Sequence, residues 1–207
     1  MVACTLAVLS QKGGAGKSTV ALALAVAHEC AGGRAAVIDL DVQQGTAAAW
    51  GRLREQPRPP VSATPPQRLR QVLEALRSDG ANLVVIDGPP RERAGGAEAA
   101  RFADLVLVPC RPAAPDLIAI APTLDLARSS GARAAVVLNA CPARGQWTSQ
   151  ATDALQQLDA ELCPVTLGAR IAHAKAFMAG QTAQETEPNS PAAAEVAALY
   201  GWLETST

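Results

Sequence analysis

The chemistry this sequence can do is concentrated in two lysines, three aspartates and a run of glycines. The run is Lys12-Gly13-Gly14-Ala15-Gly16-Lys17-Ser18-Thr19. Its three glycines permit backbone torsions that a Cβ forbids and let main-chain N–H groups come close to a ligand. Where a helix opens at Ser18, the unpaired N–H groups of its first turn add partial positive charge. Such a turn holds phosphate: Lys17 reaches β- and γ-phosphate oxygens, and the Ser18 hydroxyl ligates magnesium. A chance glycine turn would not carry the adjoining Gly-Lys-Ser-Thr, and a dinucleotide-binding loop has no use for the lysine. The expected ligands are therefore ATP and Mg2+.

Lys12 is a second cation at the start of the same loop. It cannot easily crowd the phosphates that Lys17 holds, so it is expected to reach outward, toward nucleotide bound by a second subunit. The carboxylates follow later, in Asp39-Leu40-Asp41-Val42-Gln43-Gln44 and in Leu83-Val84-Val85-Ile86-Asp87-Gly88-Pro89-Pro90. Each group closes an apolar run. The carboxyl end of a strand is where ligands of open α/β sheets sit, and an aspartate there is a candidate magnesium neighbour.

These residues need a scaffold that brings strand ends together. Continuous apolar runs at 3–9, 35–40, 83–86, 105–109, 134–138 and 164–167 read as strands buried on both faces. Helical patterns lie between or after them, at 18–31, 67–78, 97–103, 114–130, 147–160, 170–179 and 192–203. Strands alternating with helices predict an α/β fold, a doubly wound, mostly parallel sheet of about six to eight strands. Pro57, Pro59, Pro60, Pro65 and Pro66 exclude a central strand between the second strand and the helix at 67–78, and predict a surface excursion. Residues 140–146 and 184–191 read as loops. No linker divides the chain, so 1–207 is expected to be one domain.

Composition narrows the function classes. The net charge of −1 argues against a globally basic nucleic-acid binder. Arg52, Arg54, Arg58, Arg68, Arg70 and Arg77 nevertheless gather against only Glu55 and Glu74. This stretch is either a solvated helix face or a candidate DNA contact. Cys4, Cys30, Cys110, Cys141 and Cys163 form an odd set without a C-x-x-C pair, which fits neither a disulfide framework nor a metal cluster. Neither a leader nor an apolar run of ~18 residues is evident, so a cytoplasmic setting is expected. His28 and His173 read as packing or surface histidines, and Trp50, Trp147 and Trp202 as packing or partner contacts.

Lys-Gly-Gly-x-Gly-Lys-Ser-Thr, Asp-x-Asp-x-Gln and Asp-Gly-Pro-Pro, in this order, resemble the ParA/MinD family of deviant Walker ATPases, with a P-loop NTPase fold. The short chain is most similar to compact, ParF-like members that act in plasmid partition or cargo positioning. Val106-Leu107-Val108-Pro109 with Asp116 downstream, Val136-Val137-Leu138-Asn139 and the Arg170…Ala176…Gly180 stretch extend the likeness over most of the chain. Carried over by position, the resemblance assigns nucleotide binding to Lys12, Gly13, Gly14, Ala15, Gly16, Lys17, Ser18 and Thr19. It gives Lys12 a contact across an ATP-sandwich homodimer and Asp41 the orientation of the attacking water. It sets Ser18, Asp39 and Asp87 around magnesium and Asn139 against the adenine. Lys12, Lys17 and Asp41 are thus the expected catalytic groups. Two positions depart from the family pattern: Val42 replaces a proline, and Arg91 replaces a small hydroxyl residue.

The resemblance implies slow, partner-stimulated ATP hydrolysis, with an ATP dimer on nucleoid DNA and a released ADP form. A small ParB- or ParG-like protein is the implied stimulator. A MinD-like membrane-surface regulator would need a basic amphipathic tail, and residues 195–207 hold no Lys or Arg. Iron–sulfur carriers of the Mrp type need the missing C-x-x-C. A metabolic ligase of the dethiobiotin synthetase type has no role for Lys12, and a tyrosine kinase would need more than Tyr200.

Overall fold

The computed structural model describes residues 4–90, 93–158 and 160–206. Arg91 lies outside the described residues, so its departure from the family pattern has no structural counterpart. The first strand, β1 (Cys4–Val8), leads through the glycine-rich loop into α1 (Lys17–Cys30). Then come β2 (Ala35–Asp39), α2 (Thr46–Leu53), β3 (Val61–Ala63), α3 (Leu69–Ser78) and β4 (Leu83–Asp87). The second half holds α4 (Arg93–Phe102), β5 (Leu105–Cys110), α5 (Ala114–Ala119), α6 (Ala121–Ser129) and β6 (Arg133–Cys141). It closes with α7 (Trp147–Gln156), β7 (Glu161–Gly168), α8 (Ile171–Met178), α9 (Ala183–Thr186) and α10 (Pro191–Ser206).

The seven strands form one sheet in the order β3-β2-β4-β1-β5-β6-β7, and every pairing is parallel. All carboxyl ends therefore open on one edge, and β1 stands between β4 and β5. Both faces are buried, which explains the unbroken apolar runs. Along β1, Leu6 and Val8 join the layer beneath α1 and α10, while Ala7 and Leu9 join the layer on the opposite face. α1 is buried nearly all round, from Val20 to Ala27, and its alternating alanines let it lie close on the sheet. Leu22 and Leu24 are at most 1% exposed; truncating either to Ala is expected to cost about 2–5 kcal/mol.

Four elements differ from the sequence expectation. The proline-rich excursion contains a strand, β3, only three residues long and at the edge of the sheet. Pro60 and Pro65 bracket it, so the prolines limit it without abolishing it. α2 falls where no helix was expected. α6 is separate from α5, the break falling at Ile120 just before Ala121-Pro122. Residues 184–191, read as loop, also contain most of α9, closed by a capping box between Thr182 and Glu185.

Candidate nucleotide site

The loop from β1 to α1 folds as its glycines require. Gly14 and Gly16 take φ of 76° and 94°, the left-handed region that side chains resist. A Cβ on Gly16 would also run into the Asn139 amide. α1 begins at Lys17 with no side-chain cap and no acidic residue in its first turn. Its first helical bond is donated by Val20 N–H to the Gly16 carbonyl, at 2.9 Å. The N–H groups before it are thus unpaired within the helix and available to an anion.

Next to this loop lies a cavity of about 340 Å3, lined by Gly14, Lys17, Ser18, Asp41, Asp87 and Arg111 among others. Its size is that of a small-ligand site. Lys17 is buried: desolvation lowers its pKa, while Asp87 and Asp41 push it back up. Asp87, at the end of β4, is 2% exposed. Its carboxyl is pushed up to about 7, first by burial and then by the charge of Asp39, although Ser18 donates a hydrogen bond to it. Its Oδ1 has no hydrogen-bond partner among the described residues. A buried, orphaned carboxylate oxygen beside a serine hydroxyl is a pair of hard oxygen donors, which suits a divalent cation. The residues present therefore fit a magnesium-bound polyphosphate.

Asp39 and Asp87 are register partners at the ends of β2 and β4. Asp39, expected beside the metal, turns both oxygens to the backbone. Oδ1 accepts from Asp41 N–H at 3.0 Å, and Oδ2 from Ala48 N–H at 2.9 Å. Burial raises its pKa, and these N–H bonds oppose the rise. The visible work of Asp39 is to anchor the segment carrying Asp41 and the first turn of α2. Asp41 itself accepts from Gln44 N–H at 3.0 Å and lines the cavity. Val42, where a proline was expected, is 54% exposed.

Lys12 does not line the cavity. Its Nζ lies 2.6 Å from Asp116 Oδ2, at the first turn of α5. Asn139, expected against the adenine, donates from Nδ2 to the Ala15 carbonyl at 2.7 Å and so braces the phosphate loop. It is aimed there by an irregularity: the β6–β7 register shifts between Leu138 and Cys141, and Ala140 takes φ of 53°. Such bulges re-aim side chains near sites.

The arginine stretch does not form one free basic face. Arg54 binds Glu185 at 2.7 Å, Arg58 binds Glu29, Arg77 donates to the Thr5 hydroxyl, and Arg70 lies over the Phe102 ring. Arg52, Arg68, Arg70 and Arg77 are all exposed, and Arg52 and Arg68 have none of these contacts. His28 bridges Tyr200 and Asn82, a packing role, and Trp50 is fully buried. Sequence reasoning missed Arg111, which carries no local motif and reaches the loop only because β5 lies beside β1.

The chain belongs to the CbiA family, the CobQ/CobB/MinD/ParA nucleotide binding domain, whose match covers residues 6–178. No curated protein matches the sequence. Among solved structures, the chain is similar to the cell division ATPase MinD of Pyrococcus furiosus, with TM-score 0.83, 18% identity and 100% of each chain covered. It is also similar to MinD of Pyrococcus horikoshii complexed with Mg-ADP, with TM-score 0.83, 16% identity, and 99% of this chain and 97% of that one covered. An ATP complex of a McdA variant from Cyanothece gives TM-score 0.73 at 15% identity, over 98% of this chain and 96% of that one. The fold is thus the P-loop fold of MinD and ParA ATPases, in which Mg-ADP or ATP is seen bound to relatives.

Proposed function

We propose that this protein is a slow ATPase that works as a nucleotide-timed switch, a homodimer with ATP and a monomer after hydrolysis. The observation that carries the reading is the second loop lysine: Lys12 stands outside its own phosphate cavity, on Asp116, at a position from which it can be handed to another subunit. Lys17 and the first N–H groups of α1 bind the phosphates of the same subunit and neutralise charge on them. Ser18 and Asp87 would hold magnesium, which when bound would supply Lewis-acid charge to the phosphates. Asp41, steadied by Asp39, orients the attacking water. Lys12 of a facing subunit adds the charge that a lone subunit lacks, so turnover awaits dimerisation.

The switch would position or segregate a cargo, a plasmid, chromosome or protein complex, in the cytoplasm. The ATP dimer would ride on nucleoid DNA through phosphate contacts and leave it when a small ParB- or ParG-like partner stimulates hydrolysis. Arg52 and Arg68 of two subunits, not the whole arginine stretch, are the available DNA contacts from that region. Light scattering with ATP and with ADP tests the switch; ATP hydrolysis with and without non-specific DNA tests the carrier. A dimer indifferent to nucleotide would overturn the first proposal, and unchanged hydrolysis and no DNA retention the second.

A membrane-surface role finds little support in α10. Val196, Leu199, Tyr200 and Leu203 are buried against the core, and Glu195 pairs with Arg170, so no basic apolar face is presented.

A further inference from the structure

Besides Lys17, the cavity beside the phosphate loop is lined by a second basic residue, Arg111. It follows the last residue of β5 and is exposed. Its Nη2 lies 3.8 Å from where a Cβ on Gly14 would stand. The backbone beneath it is fixed. The Arg111 carbonyl accepts from Ala113 N–H at 2.8 Å and from the Cys110 thiol at 3.3 Å. Pro112 further restricts the Arg111 torsions to the extended region.

The charges around the cavity leave Arg111 unmatched. Lys17 faces Asp87 and Asp41, and Lys12 is held by Asp116. Among the described residues, the Arg111 guanidinium makes no ion pair or side-chain hydrogen bond, although the cavity it lines contains two carboxylates. A guanidinium stays charged at any working pH, and its planar fork matches phosphate oxygens. Gly14 leaves the approach to the loop clear, because no side chain stands between the guanidinium and the loop backbone. Gly14 also belongs to the first half of the loop. The inner phosphates belong to the second half, where Lys17, Ser18 and the N-terminal amides of α1 converge.

We propose that Arg111 is a phosphate-binding cation that contacts the terminal phosphoryl group of ATP within its own subunit. The proposal rests on the reading of the cavity as a nucleotide site. It adds that ATP and ADP are told apart already in the monomer, before Lys12 of any partner arrives.

The test is binding of adenosine β,γ-imidotriphosphate and of ADP, each with magnesium, measured by calorimetry in a Lys12→Ala background in which the chain stays monomeric, with that background as the parent. Arg111→Ala is expected to weaken the triphosphate about tenfold, the scale of a lost charge-assisted hydrogen bond, and ADP less than about twofold. Arg111→Lys should recover part of the loss, and Arg111→Gln none. Equal losses for the two nucleotides, no loss, or a glutamine variant that binds like the parent would each overturn the proposal. Lys17→Ala separates the two levels of failure. Where it abolishes binding of both nucleotides while Arg111→Ala binds like the parent, only the Arg111 assignment falls. Where it leaves both intact, the nucleotide site falls with it.

Discussion

Lys12 Nζ sits 2.6 Å from Asp116 Oδ2, and the two side chains are unequal in exposure, 38% against 9%. The carboxylate is thus nearly buried at the start of α5, while the ammonium remains within reach of solvent. In the proposed ATP dimer, Lys12 would exchange Asp116 for a phosphate bound by the neighbouring subunit. The half-exposed lysine can swing out of the pair, but the nearly buried carboxylate is then left uncompensated, so opening it costs at least the ~0.2–1 kcal/mol of an exposed pair. Asp116→Asn should release the lysine and lower the protein concentration needed for the ATP dimer by about two- to fivefold. Lys12→Ala should abolish the ATP dimer while sparing nucleotide binding by the monomer. Light scattering across a concentration series reads both variants.

Asp41 is fixed from two sides, by its own N–H on Asp39 and by Gln44 N–H on its carboxylate. A carboxylate held this way is suited to orienting water. Asp41→Ala is expected to keep ATP binding and dimer formation but to slow turnover by at least about a hundredfold. Phosphate release under single-turnover conditions measures it, and a parental rate would remove Asp41 from the mechanism.

Asp87 makes the apo protein sensitive to pH in a predictable sense. Its folded-state pKa of about 7 lies above the ordinary carboxylate value, chiefly because burial disfavours the charge. Between roughly pH 4 and 7 the folded chain keeps a proton that the unfolded chain has lost, so the contribution of Asp87 to stability falls as pH rises. Asp87→Asn should match the parent below about pH 4, the gap should open from there to about pH 7, and at pH 8 the variant should melt about 2–4 °C higher for each ~1 kcal/mol relieved. Magnesium requires the carboxylate, so the magnesium-dependent part of ATP affinity should grow from pH 6 to 8 in the parent and be absent in the variant. Thermal melts and nucleotide titrations across pH check the two arms separately.

Asn139 offers a choice between reading the base and bracing the loop. Its amide nitrogen is engaged with the Ala15 carbonyl, which favours bracing. Asn139→Ala is therefore expected to weaken ATP and GTP alike, by about five- to tenfold, the worth of one net hydrogen bond. A changed ratio between the two nucleotides, measured by competition, would restore the base contact.

The legible part of this molecule was what local chemistry dictates. The glycines at 13, 14 and 16 require an open loop, and unbroken apolar runs require strands covered on both faces. The missed parts depend on distant residues. α2 has Gly51 within eight residues and is held by Asp39 and by buried Trp50, whose indole donates to the Gln181 carbonyl at 2.9 Å. Nothing in Thr46–Leu53 alone announces that support. Asn139 was legible as a strand-end residue, but its target was not, because the register shift after Leu138 decides where it points. The arginines of 52–77 looked like one face only while Glu29, Thr5, Phe102 and Glu185 were far away in sequence.

The strand order has a consequence for how a charged ligand meets this edge of the sheet. Asp39 and Asp87 end β2 and β4 on one side of the phosphate loop, while Arg111 directly follows β5 and Asn139 lies in β6 on the other. The binding edge is therefore electrically lopsided, with two carboxylates on one flank and the Arg111 guanidinium on the other. On the proposed reading, a magnesium-bound polyphosphate arriving from solvent would feel a torque as well as an attraction, one that favours its cation end toward β4.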